Sequence, residues 1–322
     1  MRLIFILQNK YKSYKMANSY YKGYWMVTNR CNLRCSYCVL EDAPHQLKAE
    51  LDLESKKELV THLYQNLGFR RLTLSGGEVI IFGKHPPKEC IELLRHIRKF
   101  RSNDYKQNLA MELYTNGTYL SEEVVNEMTG VIDTVAITID STDDSFLTNI
   151  GRNFGRYKDY YNNVMKGCSF LSKAGIEVKF HSVISTKNHE LLPTQVNYIV
   201  NSLEDAGGEL SCWKFYQYMS YDDPEKDNIH SITAEIYNRF KERTQDALQG
   251  KNARLHFKDT KEMNASLFNI LSYGNAQYMR DNDTWSTSQR TEDLRSYASM
   301  SELFARHDIN EERFRKFHEI KL

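Results

Sequence analysis

Three cysteines fall within eight residues, in the run Cys31-Asn-Leu-Arg-Cys35-Ser-Tyr-Cys38. The other three of the six, Cys90, Cys168 and Cys212, stand alone. Crowded thiols in a chain expected to stay inside the cell point to metal ligation rather than to a disulfide framework. A C-x-x-x-C-x-x-C loop can wrap one face of a cluster. Three thiolates on a [4Fe–4S] cluster leave one iron open to a small molecule. The competing reading is a structural zinc loop. Such a site wants a fourth ligand at a second knuckle, and here a distant histidine would have to supply it.

A frame must hold this loop, and composition bounds it. The chain has 322 residues and a mass of 37.8 kDa, enough for one large α/β domain or two ordinary ones. Lys+Arg 43 against Asp+Glu 42 leaves a formal charge of +1, so no global field draws the chain to a nucleic acid polymer or an anionic membrane. Mean hydropathy is −0.61, and Gly 15 with Pro 5 excludes a collagenous or low-complexity chain. No apolar run approaches the roughly 18 residues that span a bilayer. The opening Met1–Leu7 stretch is too short for a signal sequence, and no small-residue cleavage site follows it. Met16 offers a second start, and residues 1–20 are read as a leader segment. The expectation is a soluble, cytoplasmic protein.

Periodicity alternates between 2 and 3.6 along the chain. Strands are expected near Tyr24–Thr28, Arg71–Ser75, Met111–Tyr114, Thr134–Ile139, Glu177–Ile184 and Cys212–Gln217. Helices are expected at Leu53–Asn66, Lys88–Phe100, Ser121–Met128, Tyr160–Ala174 and Leu192–Glu204. Repeated β–α alternation implies a parallel sheet with right-handed crossovers. Strand after strand, one face is apolar (Leu72, Leu74, Leu113, Val135, Ile137) and the other polar (Arg71, Thr73, Glu112, Thr138, Lys179, Lys214). A doubly wound sheet would be apolar on both faces. A curved sheet with helices outside and a hydrated lumen explains the pattern better. The fold class expected is α/β, a partial (β/α)6 TIM-like barrel over residues 21–225. An α-rich C-terminal extension over 226–322 closes it, with helices near Ile232–Leu248, Ala298–Ala305 and Ile309–His318 around an extended patch at Arg254–Lys258.

The cysteine spacing, with Tyr37 before the third ligand, and the Ser75-Gly76-Gly77-Glu78 run about forty residues later together resemble the radical S-adenosylmethionine (SAM) superfamily. Finer stretches are similar to the viperins, antiviral nucleotide dehydratases. These are Thr115-Asn116-Gly117, the run Ala136–Ser141 leading to Ile150-Gly151-Arg152, and Lys179–Ile184, followed by Trp213-Lys214 with Gln217 and by Tyr278-Met279-Arg280. The resemblance covers residues from about 24 to 320 and lacks the membrane-binding helix of animal viperins, as in prokaryotic members.

The resemblance implies a [4Fe–4S] cluster on Cys31, Cys35 and Cys38, and SAM held by Tyr37, Gly76, Gly77, Glu78, Asn116, Thr138 and Arg152. Electron transfer to SAM would give a 5′-deoxyadenosyl radical that removes the 4′-hydrogen of a nucleoside triphosphate (CTP, GTP or UTP). Loss of the 3′-hydroxyl as water would make the enzyme a lyase yielding a 3′-deoxy-3′,4′-didehydro product. Lys179, His181, Lys214, Tyr273 and Arg290 are the substrate candidates, and a low-potential flavodoxin- or ferredoxin-type protein the electron donor. Bland readings stand beside these: Thr138 as a strand residue, Arg152 as a loop cation, Tyr273 as packing. Several substrate-side positions depart from the family. Cys212 replaces an arginine, Tyr24 and His181 replace asparagines, and Gln289 or Arg290 falls where a lysine is expected. The alternative is a radical SAM enzyme acting on another small molecule or a peptide. The absence of cysteine after Cys212 argues against peptide modifiers with auxiliary clusters. A non-catalytic iron–sulfur or zinc scaffold would leave the Gly-Gly-Glu run without a purpose.

Overall fold

Strand β1 (Tyr20–Thr28) buries Trp25 and Val27 on one side and turns Lys22, Tyr24 and Met26 to the other, the period of two that a sheet with unlike faces requires. The structure is a computed structural model and describes residues 19–40, 49–104, 106–153, 155 and 158–321. The expectations for Met1–Leu7 and Met16 lie outside the described residues.

From β1 the chain passes through α1 (Leu53–Gln65), β2 (Phe69–Gly76), α2 (Lys88–Arg98), β3 (Ala110–Thr115), α3 (Glu122–Met128) and β4 (Thr134–Thr138). It continues through α4 (Asp144–Asn149), α5 (Tyr160–Lys173), β5 (Glu177–Ile184), α6 (Leu192–Asp205) and β6 (Leu210–Gln217). The six strands pair in chain order, all parallel. Three of these helices begin at side-chain caps: Asp52, Ser121 and Asp143 accept backbone N–H bonds at the first turns of α1, α3 and α4, which satisfies orphan donors there. The helix-facing side of the sheet is closed by Trp25, Leu72, Leu74, Leu113, Ile137, Phe180, Trp213 and Phe215, none of them exposed. Each such side chain contributes about 1.5–3 kcal/mol by burial.

After β6 come α7 (Pro224–His230), α8 (Ala234–Ala247), β7 (Arg254–Lys258), α9 (Thr260–Ala265), β8 (Phe268–Ile270), β9 (Asn275–Tyr278) and β10 (Gln289–Asp293). The described chain then runs through α10 (Met300–Arg306) and α11 (Glu311–His318) to β11 (Glu319–Ile320). The fold is the expected partial barrel with a helical extension. The extension also carries strands: β7 continues the sheet beyond β6, while β8, β9 and β10 continue it beyond β1. Segments of three to five residues are too short to display alternation, so only Arg254–Lys258 stood out as extended. Among the described residues β7 and β10 do not pair, and the barrel stays open along that seam. No helix among the described residues is long and apolar enough to cross a membrane.

His230 is buried in this frame, and neither of its ring nitrogens makes a hydrogen bond. Burial, aided by Lys187 and Lys226, holds its pKa down to about 4. Unfolded, it takes up its proton near 6.5. The stability it contributes is therefore complete above pH 6.5 and lost as pH falls toward about 4. Thermal melts should show a midpoint lower at pH 5 than at pH 7, and His230→Phe should narrow that difference. An unchanged difference would contradict this assignment.

Candidate functional site

The cysteine loop leaves β1 at its C-terminal end and rests on two other turns. Gly77 N–H donates to Thr28 O at 2.9 Å, Glu78 N–H to Arg30 O at 2.7 Å, Arg34 N–H to Gly151 O at 3.2 Å and Ser36 N–H to Ile150 O at 3.0 Å. The backbones touch so closely that a Cβ on Gly77 would lie 2.1 Å from Arg30 O, and one on Gly151 1.9 Å from Arg34 O. Only glycine permits that approach.

The three thiols form no disulfide among the described residues and line one cavity. Amide groups are aimed at the sulfurs, with Leu33 N–H 3.4 Å from Cys31 Sγ and Leu40 N–H 3.4 Å from Cys38 Sγ. Burial, the largest cause, pushes the Cys31 thiol up to about 11 and the Cys35 thiol up to about 12, against the lowering pull of Leu33 N–H on Cys31 and of Arg152 on Cys35. Thiolates in this pocket need a cation beside them. Among the described residues no three or more His, Cys, Asp or Glu side chains gather closely enough to hold a single ion. Three thiols opening on a shared cavity, with donors to sulfur, fit a larger cluster.

Beside the loop a buried network is drawn together. Arg152 Nε donates to Asp140 Oδ2 at 2.7 Å, Nη1 reaches Tyr160 Oη at 3.3 Å, and Nη2 donates to Tyr37 Oη. Tyr37 Oη donates in turn to Asp140 Oδ2 at 2.6 Å. Burial acts against the Arg152 cation, but Cys35, Tyr160, Tyr37 and Asp140 together overcome it and keep it charged. Asp140 and Tyr160 were not singled out from the sequence. Arg152 and Asp140 sit on either side of α4, and no local pattern pairs them.

The lumen beyond is aromatic and basic. His181 is nearly buried, held edge-on between Tyr114 (centroids 4.1 Å apart) and Tyr216 (5.4 Å). Its Nε2 has no partner, and burial, with Lys214 and Lys179 nearby, keeps its pKa well below the usual value and the ring neutral. Lys214 Nζ donates to Tyr114 Oη at 2.9 Å. Tyr24 shares a hydrogen bond with Ser75 across β1 and β2. Lys22, Arg71 and Lys258 line the same cavity as Lys214. Of these only Arg71 belongs to the polar faces named from the sequence. Lys22 lay one step earlier on the alternation of β1.

The radical SAM superfamily profile matches residues 25–191. The chain belongs to that superfamily. It is 26% identical over 223 residues to the GTP 3′,8-cyclase of Campylobacter fetus subsp. fetus, covering 66% of this chain and 62% of that enzyme. It is 28% identical over 159 residues to the GTP 3′,8-cyclase of Chlorobaculum tepidum, covering 49% of this chain and 43% of the enzyme. The matches thus span less than two thirds of these curated relatives. Among solved structures, anSMEcpe with bound AdoMet and Kp18Cys peptide superposes with a TM-score of 0.61 at 17% identity, covering 92% of this chain and 82% of that one. Streptococcus suis SuiB superposes at 0.60 with 12% identity, covering 79% and 59%. At such identities the likeness is one of fold.

In this radical SAM domain the expected residues separate into two groups. Cys31, Cys35, Cys38, Tyr37, Gly76, Gly77, Asn116, Thr138, Arg152, His181 and Lys214 all line the cavity. The rest do not. The Glu78 carboxylate is fully buried and accepts from Thr115 Oγ1 at 2.9 Å, Asn116 N–H at 2.7 Å and Ile80 N–H at 3.1 Å. It staples the ends of β2 and β3 and is not among the cavity's lining residues. Asn116 is similarly engaged, its Nδ2 donating to Asn32 Oδ1 at 2.9 Å, so it steadies the cysteine loop from the cavity wall. Lys179 is held by Glu112 at 3.1 Å and Glu177 at 3.5 Å and is not among the cavity's lining residues. Tyr273 and Arg290 interact with each other, but neither lines the cavity. Tyr273 lies between β8 and β9 and Arg290 in β10, on the side of the sheet that continues beyond β1.

Glu78→Gln would turn an amide N–H₂ toward donors that the carboxylate now accepts from. Leaving buried donors unmet costs about 1–3 kcal/mol. Thermal melts of the apo chain should show that loss, and an unchanged melt would exclude the stapling role.

Proposed function

We propose that this chain is a radical SAM enzyme that acts on a nucleoside triphosphate, dehydrating it to the 3′-deoxy-3′,4′-didehydro analogue. One observation carries the reading: a single cavity runs from the three thiols, Gly76, Gly77 and Arg152 to the cations Lys22, Arg71, Lys214 and Lys258, the last paired at 3.3 Å with Glu262, the carboxylate among its lining residues. Lys22 precedes Thr28, at the cluster end of β1, by six residues, about 20 Å of strand. That span accommodates a cofactor at one end and a triphosphate at the other. A triphosphate carries roughly −4 charge and calls for several fixed cationic donors. The relatives named GTP 3′,8-cyclase support a nucleotide as the substrate class, and the viperin-like stretches support the dehydration.

When bound, the cluster on Cys31, Cys35 and Cys38 supplies the electron that cleaves SAM. The chain's own residues then have separate tasks. Arg152, held by Asp140, offers its remaining N–H groups to the SAM carboxylate, and Gly76 and Gly77 let backbone approach the amino group. Tyr24, Tyr114 and Tyr216 exclude water from the middle of the lumen. Residues 21–225 act as the catalytic barrel, and 226–322 bring Lys258 and part of the seam wall.

A second reading, another small molecule or a peptide as substrate, is favoured by Lys179. With Glu112 and Glu177 neutralising it, fewer cations stand where the viperin resemblance expects phosphate. Anaerobic reconstitution with SAM, a low-potential flavodoxin- or ferredoxin-type donor, and CTP, GTP or UTP separates the two. Stimulation of 5′-deoxyadenosine formation by a triphosphate supports the first reading, and basal formation indifferent to all three supports the second.

Lys214→Ala should weaken triphosphate binding about 10- to 100-fold, the worth of one charge-assisted hydrogen bond, while SAM affinity holds. Lys179→Met should leave triphosphate affinity within about threefold and lower stability instead, because it strands Glu112. Calorimetric titration checks both. Equal losses of both ligands in Lys214→Ala would mean a folding role.

A further inference from the structure

Two loops from opposite flanks of the unclosed sheet meet at the cavity. One follows β6 and carries Tyr221; the other joins β9 to β10 and carries Trp285. Both side chains line the cavity. Their rings lie edge-to-face with centroids 4.9 Å apart, and Ser286 N–H donates to Asp222 Oδ2 at 2.6 Å beside them. Behind Tyr221 stands Tyr218, at 6.4 Å and 88°. Lys226 Nζ donates to Cys38 O at 2.7 Å, so the Tyr221 loop is anchored to the cysteine loop through α7. Tyr221 lines the cavity together with Cys38 at the cluster end and Tyr24 in the middle of the lumen. By contrast Trp25 and Trp213, the other two of the chain's three tryptophans, are wholly buried in the helix-facing core.

We infer that Tyr221 and Trp285 form an aromatic wall that receives a planar heteroaromatic ring of the cavity's ligand. The position follows from the two charged ends. With phosphates at Lys22, Arg71, Lys214 and Lys258, and the reacting sugar toward the thiols, the ring attached to that sugar must turn toward the side of the cavity. The seam is the side closed by loops, and its wall is π-faced. Two rings on hand share this chemistry, the base of the substrate and the adenine of SAM. The first assignment rests on the nucleotide reading; the second does not.

The probe is already in the chain, since Trp285 is the tryptophan that lines the cavity. Tryptophan emission of the anaerobically reconstituted full chain is titrated with CTP, GTP and UTP, with SAM, and with inorganic tripolyphosphate, using Trp285→Phe as the blank. A saturable change caused by a nucleotide or by SAM, lost in Trp285→Phe and not produced by tripolyphosphate, supports the wall. The ligand that causes it names the ring. A SAM response without nucleotide binding leaves the wall standing and removes the nucleotide reading. Nucleotide binding seen by calorimetry with no emission change from any ligand overturns the wall and spares that reading. An equal change from tripolyphosphate also overturns it, because an anion then moves the loop without a ring. Tyr221→Leu should weaken the responding ligand about 5- to 100-fold, the range for loss of one aromatic–base contact, and Tyr221→Phe should restore most of it. If Leu and Phe bind equally well, the inference fails.

Discussion

Cys35→Ala yields a chain that folds, holds no iron–sulfur cluster and forms no detectable 5′-deoxyadenosine. The loop keeps its place without the thiol, because Arg34 N–H and Ser36 N–H hold it to Gly151 O and Ile150 O. Losing one small buried side chain costs about 1 kcal/mol, so melting of the apo chain stays near that of the parent. The cluster does not survive the change. With three thiols available and no other cysteine lining this cavity, two ligands cannot replace three. The check is iron and sulfide content after anaerobic reconstitution, with product analysis on the same sample. Retained SAM cleavage in Cys35→Ala would remove the cluster from the account.

Asp140→Ala is the second large effect, and it acts on stability as well as on SAM. Asp140 is wholly buried, and its oxygens accept from Arg152 Nε at 2.7 Å, Tyr37 Oη at 2.6 Å and Val183 N–H at 3.0 Å. One carboxylate thus joins the ends of β4 and β5, the cysteine loop and the Arg152 turn. Its removal leaves a buried guanidinium without its counter-ion, a loss of about 3–5 kcal/mol. For a chain of this size that lowers the melting midpoint by roughly 10 °C. Asp140→Asn keeps the shape and one acceptor oxygen, enough for the Arg152 and Tyr37 bonds but not for Val183 N–H as well, so its loss should be smaller. SAM affinity should fall in both variants, since Arg152 is no longer aimed. A midpoint within about 2 °C of the parent in Asp140→Ala would show that the ion pair is not what organises this corner.

Much of the frame was legible because its causes are local. Alternation in the strands from β1 to β6 separated a helix-facing side from a lumen side, and Glu177–Ile184 was located to the residue. Gly77 and Gly151 lay in recognisable runs because backbone contact leaves no other residue type there. What was not legible has a different cause. Lys179 and Lys214 point to the same lumen by alternation, but period two does not say which of them an acid will neutralise. Glu112 settles that from β3, reaching Lys179 at 3.1 Å and Lys214 only at 4.0 Å. Tyr273 and Arg290 were expected at the substrate through the family resemblance alone, and that resemblance did not show that they interact with each other. Asp140, Tyr221 and Trp285 act through partners brought from far along the chain, and no local pattern marks such meetings.

The claim beneath all of this is that Cys31, Cys35 and Cys38 hold a cluster with one iron free for SAM. Electron paramagnetic resonance of the anaerobically reconstituted, reduced protein tests it most directly, recorded with and without SAM beside metal and sulfide counts. The account predicts about four irons and about four sulfides per chain and a spectrum that SAM shifts. One zinc per chain, or a cluster spectrum that SAM leaves untouched, would contradict it.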